Sequence, residues 1–223
     1  MDTIILSLIS FGTAAFAFAF GAIRLFGKKT AMYFQLIVCS AGCYALEELA
    51  SLVTYLCGGF EYPITVNSLG AFGCFFFLLS ANYGQIDGIV DDGSPENRKA
   101  RLIALSVSCM LGVFLAFCFV CAYFYSGTFA PFALAFIYTP ILFASYYNLK
   151  HLLLPTDPLG LLHATKACNI WALIFYAAQM LYLFVYLFCT AEASHYIMVF
   201  LSAALLGMVL AAVKGDAVWK TSI

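Results

Sequence analysis

Apolar runs of helical length recur along the chain, each broken by a short polar or glycine- and proline-bearing stretch. A helix needs about 20 apolar residues to cross the hydrocarbon core of a bilayer. The runs 4–25, 31–56, 66–86, 102–125, 129–149, 167–189 and 196–213 meet that length. Between them stand Gly27-Lys28-Lys29, Gly58-Gly59-Phe60-Glu61-Tyr62-Pro63, Asp91-Asp92-Gly93-Ser94-Pro95, Ser126-Gly127 and Pro155-Thr156-Asp157-Pro158. The pattern predicts an all-α integral membrane bundle of seven transmembrane helices, a single domain over 1–223. Connections this short leave no room for a second folded unit.

Composition turns that pattern into a statement about solvent. The chain is 65% hydrophobic and 9% charged, whereas a soluble domain carries about 25% charged residues. Most of its surface must therefore face the lipid bilayer of a cell membrane. A net charge of −1 gives no basic field of the kind that nucleic acid requires.

Charge also orients the bundle. Arg24, Lys28 and Lys29 follow the first run; Arg98, Lys99 and Arg101 follow the third; Lys150 and Lys166 follow the fifth; Lys214 and Lys220 follow the seventh. These are all ten basic residues, and a seven-helix count puts every one on the same side. The opposite side holds Asp2, Glu61, Glu192 and His195. Basic residues accumulate in the cytoplasm, so the amino terminus is expected outside and the carboxyl terminus inside. Asp2 before the first run and the three basic residues after it favour a retained anchor over a cleaved signal peptide.

Ionisable groups at membrane depth are costly and usually face a protein interior. Glu47 and Glu48 are such a pair, in Cys43-Tyr44-Ala45-Leu46-Glu47-Glu48-Leu49-Ala50-Ser51. Neighbours on a helix point about 100° apart, so the two carboxyls cannot share one geometry. Ser40, Cys43, Glu47 and Thr54 form one stripe, and Tyr44, Glu48, Ser51 and Tyr55 the next. The opposite side reads Val38, Ala45, Leu49, Leu52, Val53 and Leu56. One reading is a ligand, cation or proton site; the other is a protonated carboxyl hydrogen-bonded to a neighbouring helix.

The third run carries Gly70, Gly73, Phe77, Ala81, Gly84 and Gly88 at three- and four-residue steps, a stripe for close helix packing. Its inner end is polar, with Asn82, Tyr83 and Gln85. The sixth run repeats Asn169, Ala172, Tyr176, Gln179, Leu183, Tyr186 and Thr190 along one face, which is expected to turn inward toward the second helix. Candidate polar-core or ligand-binding residues are thus Tyr44, Glu47, Glu48, Ser51, Asn82, Tyr83, Gln85, Tyr176 and Gln179. His151 and His163 are assigned to a cytoplasmic loop and His195 to the outer surface, so no metal set and no cofactor are called for. Seven of the nine cysteines lie inside apolar runs, where they act as small hydrophobes. Cys57 and Cys189 lie near the outer ends, within reach of a disulfide.

Tyr44-Ala45-Leu46-Glu47, Ser68-Leu69-Gly70 and Phe76-Phe77-Leu78-Leu79-Ser80-Ala81-Asn82-Tyr83-Gly84 resemble the seven-helix sensor region at the amino end of some bacterial histidine kinases and diguanylate cyclases. The resemblance covers about 40 residues. It implies that Glu47 is the matching acid and Tyr83 the matching tyrosine, with Glu48 an addition. Only 214–223 follow the last run, so a cytoplasmic signalling partner is expected in place of a kinase or cyclase domain, contacted through 89–101 or 150–166.

Three functions stay open. The first is a sensor that binds a small apolar or amphiphilic ligand. The second is a substrate-binding transporter subunit, docking through the small residues Ala14, Ala15 and Ala19. The third is an intramembrane enzyme using a Glu carboxyl, for which the sequence offers no nucleophile–base pair.

Overall fold

The computed structural model describes every residue except 1, 27–28, 58–65, 156, 158, 190 and 223; the side chains of 2, 66–67, 191–192 and 221–222 are also not described. The connections through Gly27, Lys28, Gly58 to Pro63, Thr156 and Pro158, and Thr190 at the end of the sixth run's stripe, therefore lie outside the described residues. So do the side chains of Asp2, Glu61 and Glu192.

Seven helices are long and apolar enough to cross a bilayer. They are α1 (Asp2–Leu25), α2 (Met32–Leu56), α3 (Val66–Asn82), α4 (Arg98–Ser126), α5 (Ala130–Leu153), α6 (Leu161–Phe188) and α7 (Ala191–Ser222). Among the described residues all regular structure is helical. The chain is a multi-pass membrane protein, and its outer surface suits lipid. Ile23, Met110, Val113, Phe117, Phe124 and Phe136 are each more than 60% exposed, and only an apolar solvent tolerates such a coat.

Six helices close a ring in the order α1, α2, α3, α5, α6, α7, with α7 back against α1. α4 stands outside it, packed mainly on α5. The glycine stripe works over half its length. A Cβ on Gly70 would meet the Cys43 carbonyl and the Glu47 backbone nitrogen, each at 2.9 Å, and one on Gly73 would meet Cys43 Sγ at 3.0 Å. These glycines let α3 lie against α2. Gly84 and Gly88 have nothing within 4 Å, so the packing role assigned to them does not extend there.

The helix ends correct the expected boundaries. Asp157 accepts hydrogen bonds from the backbone N–H groups of Leu162 (3.0 Å) and His163 (2.8 Å), satisfying donors that a helix start leaves open. α6 thus begins at Leu161, six residues before the apolar run. Gly127 closes α4 in the left-handed conformation, φ 67°. α3 does not stop at Asn82: it passes through a wider π turn, Tyr83–Asp87, and ends with Gly88–Val90.

α5 runs on through Lys150 and His151, both expected in a loop and both only 2% exposed. Apolarity alone had ended that helix too early. Of the described basic residues, Arg24, Arg98, Lys99, Arg101, Lys150, Lys166, Lys214 and Lys220 lie on helices toward one end of the bundle, called the basic end below, and Lys29 lies in the bend between α1 and α2. α5 also contains Pro140, which cannot donate the N–H that would bond the Phe136 carbonyl, so the helix is weakened there.

All nine cysteines are free. Cys57 and Cys189, the pair within reach by sequence, are not bridged.

Candidate functional site

Midway along α2 the two adjacent carboxyls diverge. Glu48 is 1% exposed and faces inward beside Tyr44 and Ser10 of α1. Ser10 also shares a 2.6 Å hydrogen bond with Ser202 of α7. Glu48 therefore belongs to a polar seam between α1, α2 and α7. Glu47 points the other way, into a cleft of about 160 Å³ walled by α2, α3, α5 and α6. Ser51 and Ser68, Ile137 and Tyr138, and Tyr182 and Tyr186 share that lining with it.

Tyr138 and Tyr182 stand close enough to Glu47 to feel its charge. Tyr182 stacks on Tyr186, with ring centroids 6.0 Å apart. Among the described residues, Glu47 Oε2 and Glu48 Oε2 are buried with no hydrogen-bond partner. An unpaired buried carboxylate oxygen is costly. The cleft therefore contains an unmet demand for a donor or a cation.

Toward the basic end the cleft is closed by rings. Tyr44 meets Phe175 edge-on at 5.6 Å, and Phe75 packs on Tyr138 at 5.5 Å and Phe175 at 6.4 Å. Phe75 and Phe175 are fully buried. Beneath this aromatic layer lies a polar one. Asn148 donates to the Ala144 carbonyl (2.7 Å) and to the Tyr176 hydroxyl (3.3 Å), and accepts from Asn82 Nδ2 (3.3 Å). Tyr33 of α2 donates to Asn169 Oδ1 of α6 at 3.1 Å.

The Ala144 carbonyl fixes which way the Asn148 amide points, and Asn148 in turn fixes Asn82. Asn82 Oδ1 is then left facing His151 Nδ1 at 3.0 Å, while His151 Nε2 faces Asp87 Oδ1 at 3.1 Å. Both ring nitrogens of His151 thus meet oxygens.

The last layer is ionic. Lys150 bridges Asp87 and Asp91, reaching Asp91 Oδ2 at 3.1 Å, and lies over the rings of Tyr146 and Tyr147. Arg101 of α4 pairs with Asp91 Oδ1 at 3.0 Å and donates to the Ser94 carbonyl at 2.6 Å. Asn97 donates to both Asp91 and Asp92. The segment expected as a free partner-facing loop is therefore clamped to α4 and α5.

Burial works against the Asp91 carboxylate. Hydrogen bonds from Lys150 and the Gly93 N–H, with the charges of Lys150 and Arg101, outweigh it and hold its pKa below the ordinary value. A carboxyl lowered by folding contributes stability above its unfolded pKa of about 3.9, and that contribution is lost as pH falls through the folded value. The thermal midpoint in detergent is therefore expected to drop below about pH 4. Asp91→Asn should start from a lower midpoint and show less of that drop.

Of the residues singled out by sequence, Glu47 and Ser51 line the cleft, while Tyr44 and Tyr176 bound the layers beneath it. Glu48 turns into the α1–α7 seam. Asn82 joins the polar layer, and Gln179 is buried on the inward face of α6 with Asn169, Ala172 and Leu183. Tyr83 is 60% exposed and packs on Tyr147 instead, and Gln85 is half-buried; neither reaches the cleft. The apolar side of α2 is also split, with Leu49, Val53 and Leu56 exposed but Val38, Ala45 and Leu52 buried.

Sequence reasoning missed Asp87, Asn148, Lys150, His151, Tyr138 and Tyr182. The Asn148–His151 spacing of three on one helix face was the available signal. No family model, curated protein or solved structure matches the chain, so its functional reading rests on this geometry.

Proposed function

We propose that the protein is a receptor-like membrane bundle which takes a small amphiphilic ligand into the Glu47 cleft. Its basic end is cytoplasmic, where a signalling partner reads the change. The observation that carries this reading is the cleft itself. It is lined by a carboxyl with one buried, unpartnered oxygen and by tyrosines, and the ring layer of Tyr44, Phe75 and Phe175 lies between it and the polar residues below. A cleft backed by packed rings suits binding better than conduction. The shared helices α3 and α5 supply both a cleft wall and the Asp87–Lys150 cluster, so a shift of either helix is felt at the far end.

Transport is the second reading, favoured by Pro140 one turn from the cleft wall and by the polar chain beneath the plug. Its docking face is reduced: of the run from Ala14 to Ala19, Ala14 and Ala17 are fully buried in the bundle, Ala15 is half-buried and Ala19 is exposed. In reconstituted vesicles, ligand is expected to raise the thermal midpoint by several degrees, with Glu47→Gln removing the shift and no solute accumulating inside. Accumulation that Glu47→Gln abolishes would replace the receptor by a transporter.

A further inference from the structure

We infer that the cleft takes an organic cation, a protonated amine or quaternary ammonium whose charged end is no larger than about eight non-hydrogen atoms. The inference rests on the reading of the cleft as a ligand site, and deepens it by naming the ligand's chemistry.

Size sets the first bound. A 150 Å³ apolar cavity holds benzene, and this cleft offers about 160 Å³. A six-membered ring or a short branched chain with one polar head fills it; a longer tail must leave through its open side.

The lining sets the charge. Among the described residues, Glu47 is the one carboxyl that lines the cleft, with one oxygen buried and unpartnered. Among the described residues, no lysine, arginine or histidine lines the cleft. Among the described residues, the lysines and arginines lie toward the opposite end of the bundle.

The aromatic walls complete the recognition. Tyr138, Tyr182 and Tyr186 contribute three rings to a cleft with one carboxyl. Ring faces attract cations within about 6 Å, most strongly where water is excluded. Aromatic faces around a carboxylate are how ammonium groups are held in general; a neutral donor could also bond the oxygen, but it would gain less from the ring faces. Ser51 and Ser68 also line the cleft.

The test uses the full chain in nanodiscs, with empty nanodiscs subtracting partition into lipid. Three probes of matched shape are titrated by calorimetry: benzylamine, benzyl alcohol and benzoate. Benzylamine is expected to bind at least tenfold tighter than benzyl alcohol, and benzoate not to bind. Glu47→Gln should bring amine and alcohol to within about twofold of each other while helix content is unchanged. Tyr182→Leu keeps the carboxyl and removes a ring; it should weaken the amine by at least threefold and the alcohol by less, and it serves alone if Glu47→Gln does not fold.

Equal binding of amine and alcohol to the unaltered protein would overturn the cation while leaving the cleft as a ligand site. Amine preference that survives both substitutions would overturn the assignment to Glu47 and Tyr182. Binding by none of the probes would overturn the cleft reading, and this inference with it.

Discussion

Replacing Lys150 by methionine is expected to lower the unfolding free energy by about 3 kcal/mol, the low end of the usual cost of stripping one partner from a buried ion pair. Lys150 is 2% exposed and bridges two carboxylates, Asp87 and Asp91, on the closing turns of α3. Methionine keeps the stem and its packing on Tyr146 and Tyr147 but leaves both acids facing one another. Arg101 stays on Asp91, which is why the low end is expected. Adding Asp87→Asn should return a substantial part of the loss, because the stranded charge is then gone. Reversible unfolding in mixed micelles measures both. A loss under about 1 kcal/mol would mean the cluster behaves as a hydrated surface pair.

Gly70→Leu is expected to cost a comparable amount for a different reason. The atoms in the way are backbone: the Cys43 carbonyl oxygen and the Glu47 nitrogen, each at 2.9 Å from the position of a Cβ. Overpacking usually costs 1–3 kcal/mol where side chains can yield, and here they cannot, so roughly 3 kcal/mol or more follows. Because α3 must move off α2 beside Glu47, ligand stabilisation should vanish as well. Gly84→Leu is the matched control. It has open space around it and should leave both readouts within experimental scatter. Equal loss from the two substitutions would place the fault in the glycine-to-leucine change itself rather than in the α2–α3 approach.

The bundle was legible because its signals are local. Each apolar run and each basic cluster can be read without knowing its neighbours, and the 100° step between Glu47 and Glu48 follows from helix geometry alone. The ionic layer was not legible in the same way. Lys150 and His151 sit about 60 residues from Asp87 and Asp91, and in isolation a lysine and a histidine after an apolar run read as a loop. Only the fold reveals that they are paired.

The site shows the same division. Gln85 is expected at the polar inner end of the third run, and Tyr83 is a candidate through the resemblance to the sensor region. The π turn that begins at Tyr83 widens the helix by one residue, so Asn82, Ile86 and Val90 are buried and Tyr83 turns out. The sixth-helix stripe from Asn169 to Leu183 does face inward. Tyr182 lies off that stripe, and Tyr138 lies on a helix with no polar periodicity at all. Their place in the cleft comes from the order of helices around the ring, which no single segment encodes.

The depth of Glu47 has an electrical consequence. It lies three residues beyond Tyr44, the midpoint of α2, about 4.5 Å from the centre of the span at 1.5 Å per residue. A cation coming from the end away from the basic residues therefore crosses about a third of a 30 Å core before it reaches the carboxyl. The full membrane drop is worth about 2.3 kcal/mol per 100 mV. A third of it shifts occupancy about three- to fourfold per 100 mV, toward filling when the basic end is negative. A receptor built this way would report its ligand against the energisation of the membrane, reading the same concentration as abundant in a charged cell and scarce in a depolarised one.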